Sequence, residues 1–249
     1  MTGAESVALP DSTGRGLALG FGSLVALATS GVTVATFALA YMAGADDSPY
    51  PFSSDAIAGN WPREYLWMFP AMLLMLLFVA FVASVHEYAP ATRKIFSLLG
   101  LCFAIMAAAI LLTTYFIQVT VMQPSLEKGQ LDGWAMLTMY NPNGVFIASE
   151  ELGYILMSLA LAVLAPVFLQ KNKVEQTIRW LFVLSCATVV GALIAVSVAT
   201  GFDRGVLFEI IAISIVWLTL IVSGPLVAVV FRRSAARSTR TDLPTEERG

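Results

Sequence analysis

The stretch that decides the fold is YLWMFPAMLLMLLFVAFVASVH, residues 65–86. It contains no Asp, Glu, Lys or Arg, and it is long enough to cross the hydrocarbon core of a bilayer, which takes roughly 20 residues of α-helix. Backbone N–H and C=O groups inside hydrocarbon must be satisfied within the segment itself, and a helix satisfies them. The stretch therefore predicts a transmembrane helix.

Runs of the same kind occur on both sides of this stretch. The chain has 249 residues, of which 58% are hydrophobic and only 12% are charged, about half the charged fraction of a soluble domain. No run alternates apolar and polar residues as the strands of a membrane β-barrel do. We therefore predict an all-α polytopic membrane protein, a bundle of six transmembrane helices in three hairpins. The transmembrane domain is predicted over residues 17–231, with helices at 17–43, 65–86, 95–122, 143–169, 178–200 and 206–231.

The distribution of basic residues predicts the orientation. With the N-terminus inside, eleven Lys and Arg residues lie on cytoplasmic segments, whereas Arg63, Lys128 and Arg204 lie on the other side. Short loops rich in Lys and Arg stay in the cytoplasm. We therefore expect a multi-pass protein of the plasma membrane with both termini cytoplasmic. A short N-terminal segment, 1–16, and a polar, disordered tail, 232–249, flank the membrane domain.

A pair of carboxylates near the start of the fourth predicted helix is the strongest indication of a site. Ionisable groups near hydrocarbon are costly and usually have a function, and Glu150 and Glu151 are such groups. Asn141 and Pro142 fit the N-cap and first position of that helix, which puts Glu150 at the outer boundary of the hydrocarbon. Because adjacent residues differ by about 100° around a helix, we expect one carboxylate to face the bundle and the other the headgroups.

Other polar side chains are predicted to reach the same depth and to form an outward-facing polar pocket with these carboxylates. Tyr154 follows Glu150 by four residues and shares its helix face. A buried carboxyl group there is suited to proton exchange. The alternative is a structural role, in which the carboxylates hydrogen-bond neighbouring helices or pair with outer cations. The predicted ligand-binding residues are Glu150, Glu151, Gln118, Tyr154, Glu209, Gln123 and Tyr115, and the predicted counter-ions are Arg63 and Arg204.

The second and third predicted hairpins share a spacing. Glu150 precedes Pro166 by sixteen residues, and Glu209 precedes Pro225 by the same number. Each descending helix then has a carboxylate at its outer end and a proline near its inner end. Repeats of this kind occur in membrane transporters. A parallel repeat is one interpretation, and chance alignment of apolar helices is the other.

Small residues at every fourth position predict close contacts between helices. Such faces are expected to pack within one chain or between copies in a homo-oligomer. They comprise Ala187, Gly191, Ala195 and Ala199 on the fifth helix, and Gly16 and Gly20 on the first.

Absent motifs narrow the function. One His and two Cys are too few for the usual zinc sites or for bis-His haem ligation in a single chain. The sequence has no P-loop, no dinucleotide fingerprint and no basic patch for nucleic acid. We therefore predict no metal or cofactor and no nucleic-acid partner, and expect the lipid bilayer and a small-molecule ligand as partners. Cys102 and Cys186 are expected to be packing residues, or a disulfide if the third and fifth helices touch.

Four stretches carry a resemblance to a known family. They are Tyr115–Leu126, Tyr140–Gly144, Glu150–Tyr154 and Pro62–Trp67. Together they resemble an uncharacterised family of prokaryotic six-helix membrane proteins over about residues 45–232 of this chain. The resemblance implies the same architecture and implies no activity.

Three functions fit these patterns, and binding or transport is favoured over catalysis. The leading hypothesis is a small-ligand binding or transport protein with an outward-facing polar pocket. The second is a membrane-embedded enzyme acting on a lipid or isoprenoid, with Glu150 or Glu151 as general acid or base. The third is a non-catalytic assembly or sensing subunit, motivated by the small-residue faces.

Overall fold

The protein is a bundle of six long helices, as predicted. The computed structural model describes residues 12–44, 57, 59–168, 172–201 and 205–241, and no β-strand occurs among them. All six helices are long and apolar enough to cross a membrane. They are α1 (Ser12–Ala43), α2 (Met68–Tyr88), α3 (Lys94–Ile117), α4 (Val145–Leu164), α5 (Lys173–Thr200) and α6 (Leu207–Thr241).

Each predicted hairpin packs as a pair of helices, α1 with α2, α3 with α4, and α5 with α6. The pairs close into a ring because α1 also packs along α6 and α2 packs along α3. Helix α4 packs extensively against three long helices, α3, α5 and α6. Helix α5 packs extensively against two, α4 and α6. Residues near the start of α4 are therefore surrounded by protein, and α5 lies at the edge of the bundle.

The start of α4 differs from the prediction. The helix begins at Val145 after Gly144, not at 143. The side chain of Asn141 does not cap it, because Asn141 Oδ1 accepts a hydrogen bond from the N–H of Asn143 at 3.0 Å and its Nδ2 donates to the carbonyl of Ala135 at 2.7 Å. Asn141 thus closes an Asx turn in the preceding loop. The competition between turn and cap is local and cannot be read from residue type alone.

Two other helix ends also differ from the prediction. Helix α5 begins at Lys173, because Asn172 caps it by accepting a hydrogen bond from the N–H of Glu175 at 2.9 Å. Helix α6 does not end at 231 but continues to Thr241, and Arg232 Nε donates to Ser23 Oγ of α1 at 2.9 Å. The first residues of the predicted disordered tail are therefore helical. Residues 242–249 lie outside the described part of the chain.

The connection between α3 and α4 contains further helical turns. A π-helical turn, Gln118–Met122, follows α3 directly, and two short helices follow it, Gln123–Glu127 and Trp134–Leu137. Trp134 is buried and donates from Nε1 to the carbonyl of Met122 at 3.1 Å. This bond folds the connection back onto the end of α3 and fixes the approach to α4.

Close helix contacts occur at glycines that the four-residue pattern did not indicate. A Cβ atom added at Gly224 of α6 would lie 2.6 Å from the carbonyl oxygen of Ala26 and 2.7 Å from Cβ of Ser30. A Cβ atom at Gly153 of α4 would lie 2.5 Å from Leu111 of α3. Small residues thus allow α6 to approach α1, and α4 to approach α3.

The predicted small-residue faces do not form these contacts. Ala187, Gly191, Ala195 and Ala199 are all exposed on α5, and a Cβ atom at Gly191 would meet no atom within 4 Å. A Cβ atom at Gly16 or Gly20 of α1 would also meet no atom within 4 Å. Packing within the described residues therefore does not explain either face, and a role between copies stays a prediction.

Two features were predicted to relate the second and third hairpins: the pair of cysteines and the shared spacing of carboxylate and proline. Cys102 is exposed, Cys186 is half-buried, and both are free thiols, so the two do not form a disulfide. The exposure of Cys102 does not fit the expected packing role. Pro166 lies in the 3₁₀ turn that ends α4, whereas Pro225 lies inside α6, which continues beyond it. The prolines therefore have different structural roles, which does not support a repeat.

The Gly224 contact predicts a stability effect. We expect Gly224→Ala to lower the free energy of unfolding by about 1–3 kcal/mol, because backbone atoms of α1 cannot move aside for the added methyl group. Thermal unfolding of the detergent-solubilised protein measures this. Gly191→Ala is the matched control and should be neutral or slightly stabilising, since alanine favours helix and the site is open. Equal melting temperatures for the two variants would contradict the assigned contact.

Candidate functional site

A cavity of about 850 Å³ lies at the end of the bundle where α1 ends and where α2, α4 and α6 begin. We call this the cavity end. Its volume is within the range of small-molecule sites. Most of the wall is apolar, and six polar residues contribute to it: Tyr41, Glu64, Tyr140, Glu150, Glu209 and Ser214.

Glu150 is a fully buried acid in this wall. It lies in the second turn of α4 and is 1% exposed. The hydroxyl of Tyr115 on α3 donates to Glu150 Oε1 at 2.6 Å, and the same hydroxyl lies 3.1 Å from the hydroxyl of Tyr154. Tyr154 is one turn further along α4, as its spacing predicted. The predicted residues Tyr115, Glu150 and Tyr154 therefore form one hydrogen-bonded group.

Glu209 joins the group from α6. Its carboxyl group lies beside that of Glu150 in the same cavity wall, close enough for a hydrogen bond between the two, and Glu209 is also buried. An ionised carboxylate only accepts hydrogen bonds, so one carboxyl group must carry a proton for this bond to form. While the bond exists, the pair carries no more than one negative charge.

Aromatic rings surround the carboxyl pair. Trp67 at the start of α2 lies 5.3 Å from the ring of Tyr115 and 6.4 Å from that of Trp217, measured between centroids. Trp217 of α6 contacts Tyr154 at 6.3 Å and Phe37 of α1 at 5.9 Å. Edge-to-face contacts at these distances hold the rings in place. The two tryptophans also border the cavity, so they contribute fixed aromatic surface to its wall.

Glu64 is a third buried acid in the wall, and the sequence interpretation did not include it. Arg63 pairs with Glu64 at 3.1 Å, with the Arg63 side chain 68% exposed. The hydroxyl of Tyr140 donates to the second carboxylate oxygen of Glu64 at 2.8 Å, and Asn60 Nδ2 donates to that hydroxyl at 3.3 Å. Burial, followed by the nearby Tyr65 hydroxyl, raises the pKa of Tyr140 above its ordinary range. Tyr140 therefore remains protonated and keeps donating to Glu64.

The two predicted counter-ions have different outcomes. Arg63 is engaged with its neighbour Glu64 rather than with Glu150 or Glu209. A residue adjacent in the chain reaches it without any rearrangement, which explains the local pairing. Arg204 lies outside the described residues, so its role stays a prediction.

Gln118 and Gln123 do not line the cavity with Glu150. Gln118 Nε2 donates to the carbonyl of Leu137 at 2.6 Å, and Gln118 Oε1 accepts the N–H of Met139 at 3.1 Å. Gln123 Nε2 donates to Glu127 at 3.2 Å. Both glutamines therefore serve the connection between α3 and α4. For Gln123, the π-helical turn explains the difference, because its extra residue rotates the following side chains away from a regular α-helical face. For Gln118, the partners lie in a loop that is remote in sequence.

Glu151 also differs from the expectation. Neither member of the pair faces the headgroups, since Glu151 is only 7% exposed. It does not contribute to the cavity wall. Helix α4 has protein on several sides, so two adjacent side chains that diverge around the helix can both be buried.

Another buried acid, Glu175, lies at the opposite end of the bundle. It is 2% exposed and accepts hydrogen bonds from Asn172 Nδ2 at 2.9 Å and from the Tyr88 hydroxyl at 3.2 Å. These contacts link the start of α5 to the end of α2. Its position in the first turn of α5 also suits a negative charge. Glu175 therefore has a structural explanation that needs no ligand.

The hydrogen bonds of Gln118 predict a local effect. We expect Gln118→Met to free the loop at Met139, because two hydrogen bonds worth about 1–3 kcal/mol in total are lost. Hydrogen–deuterium exchange at the Met139 amide should accelerate by about tenfold. Thr120→Ala, which removes only a bond within the helix end, is the control. Unchanged exchange in Gln118→Met would show that the loop is held by other contacts.

No three His, Cys, Asp or Glu side chains form a metal-binding group among the described residues. Comparison of the chain with protein-family models, curated proteins and solved structures finds no match. The resemblance to a prokaryotic membrane family therefore stays a prediction, and the functional argument depends on the geometry of the cavity.

Proposed function

We propose that this protein binds or transports a small ligand through the cavity, which opens to the outer side of the plasma membrane. The observation that carries the proposal is the meeting of Glu150 and Glu209, from two different helices, in the wall of one cavity. Buried carboxyl groups in transmembrane helices usually mark ligand, ion or proton sites. A cavity of this volume with a few fixed polar groups is also typical of ligand sites.

A purely structural role explains less of the arrangement. A hydrogen bond between helices requires only two polar groups, and a Gln pair would provide it without burying charge. It requires no adjacent cavity and no ring of fixed aromatic side chains. The cavity, the carboxyl pair and the rigid wall together support a binding site.

The charge distribution supports an outward opening with both termini inside. Among the described residues, Arg63 and Lys128 are the Lys and Arg side chains at the cavity end. Segments rich in such residues stay cytoplasmic. Seven of the basic side chains that the structure describes belong to the opposite end: Arg93, Lys94, Lys173, Arg179, Arg232, Arg233 and Arg237.

Two other functions remain as alternatives. An enzyme acting on a lipid or isoprenoid is favoured by the short bond from Tyr115 to Glu150, since a fixed proton donor beside a carboxyl group suits general acid–base catalysis. Glu151 lies outside the cavity wall, so Glu150 would hold that role. An assembly or sensing subunit is favoured by the exposed small-residue face of α5.

Cysteine labelling tests whether the cavity is open and on which side. With Cys102 and Cys186 replaced by Ser, Ser214→Cys should react with a membrane-impermeant maleimide added outside intact cells, because Ser214 lines the cavity. Ser223→Cys on the same helix is the control and should stay unlabelled, since Ser223 is fully buried. Labelling of the Ser214→Cys protein only from the cytoplasmic side would show that the cavity opens to the cytoplasm. No labelling from either side would show that the cavity is closed to water-soluble molecules.

Ligand retention tests the role of the carboxyl pair. The purified protein in lipid nanodiscs is incubated with a cellular metabolite extract, washed, and analysed for bound small molecules by mass spectrometry. We expect at least one compound that the wild type retains and the variant with Glu150→Gln and Glu209→Gln loses, because the charge in the cavity is removed.

Glu175→Gln is the matched control, since it changes a buried acid at the opposite end of the bundle. Turnover of a retained compound into a product would favour the enzyme. Retention that is identical in all three proteins would contradict a binding site at the carboxyl pair.

A further inference from the structure

We propose that the ligand is a hydrophobic organic monocation, such as a quaternary ammonium or phosphonium compound. This inference depends on the proposed binding function and names the chemical class that the same cavity selects. Three properties of the described wall carry it: its charge, its aromatic faces and its small number of oxygen ligands.

The charge of the wall favours a cation. No Lys, Arg or His contributes to it among the described residues, whereas Glu64, Glu150 and Glu209 do. Arg63 balances Glu64 at 3.1 Å. The pair of Glu150 and Glu209, when hydrogen-bonded, then contributes at most one negative charge, and it contributes no positive charge. An anion would be repelled in this site of low dielectric constant, and a single positive charge would complement it.

The aromatic faces favour an organic cation. Trp67, Trp217 and Phe37 border the cavity near the carboxyl pair, and Tyr41 adds a further ring at its edge. The face of an aromatic ring attracts a cation, and the attraction is larger where water is excluded. Quaternary ammonium groups are recognised in aromatic cages of this kind. Contacts among the rings fix their orientation before any ligand arrives.

The small number of oxygen ligands disfavours a bare metal ion. Calcium takes six to eight oxygen ligands and magnesium needs near-octahedral geometry. The carboxyl pair provides few oxygens, and most of the remaining wall is apolar. A large cation with an apolar exterior needs no oxygen shell. It would bury its apolar surface against the wall and keep its charge near the carboxyl pair.

Two ions of equal shape and opposite charge give a direct test. Tetraphenylphosphonium and tetraphenylborate are titrated into the purified full chain in nanodiscs of neutral lipid, and binding is measured by tryptophan fluorescence and calorimetry. We expect saturable binding of the phosphonium ion and only unsaturable partitioning of the borate ion. Glu209→Gln should weaken phosphonium binding by about tenfold or more, and Trp67→Leu by about threefold to tenfold.

Matched controls come from the same chain. Glu175→Gln changes a buried acid remote from the cavity, and Trp180→Leu changes a tryptophan on α5 that is 51% exposed. Both should bind the phosphonium ion like the wild type. Thermal unfolding shows whether Glu209→Gln folds. If it does not fold, Trp67→Leu and the comparison of the two ions in the wild type still test the cation preference.

Equal binding of the two ions, or phosphonium binding that none of the cavity variants weakens, would overturn the inference. If the retention experiment then identifies a neutral or anionic compound whose binding requires Glu150 and Glu209, the proposed binding function is supported. Only the proposal that the ligand is a cation would then be wrong. If no compound requires the pair and Ser214→Cys is not labelled, the proposed binding function fails as well.

Discussion

The rest of the site depends on one constraint, which is that a carboxyl group buried among transmembrane helices must have hydrogen-bond partners. Glu150 meets this constraint through the Tyr115 hydroxyl at 2.6 Å and through Glu209. These partners come from α3 and α6, on different sides of α4. Three helices must therefore keep their relative positions for the group to remain satisfied, because a buried polar group without a partner is costly.

Backbone packing next to the site explains how this position is kept. Gly153 lies between the residues of α4 that carry the site, and it contacts Leu111, which is one helical turn before Tyr115 on α3. The lack of a side chain at Gly153 allows α3 to approach until the Tyr115 hydroxyl reaches Glu150. About four turns beyond Glu209, Gly224 brings α6 against α1. The close contact at Gly153 thus sets both the packing of α4 on α3 and the geometry of the site.

The sequence predicted the six helices and half of the site, for a physical reason. Span length and apolar composition are properties of each segment alone, and the shared helix face of Glu150 and Tyr154 follows from helical spacing. Gln118, Glu64 and Arg63 could not be predicted in this way. Gln118 bonds the loop backbone at Leu137 and Met139, and Glu64 is buried by a contact with Tyr140, and these partners are remote in sequence. The face of α5 that is exposed likewise depends on how α4 and α6 pack against it, which the sequence of α5 alone does not specify.

The buried acids at the two ends of the bundle have different surroundings. At one end, Glu175 accepts hydrogen bonds from donors, at a helix start that favours its charge. At the other end, the carboxyl groups of Glu150 and Glu209 face each other, an arrangement in which both cannot easily ionise and which Gln would satisfy at lower cost. Stability alone therefore explains Glu175 but not the pair. What distinguishes the pair is its position beside a cavity with fixed aromatic walls. A positively charged ligand in that cavity would balance the negative charge of an ionised carboxylate.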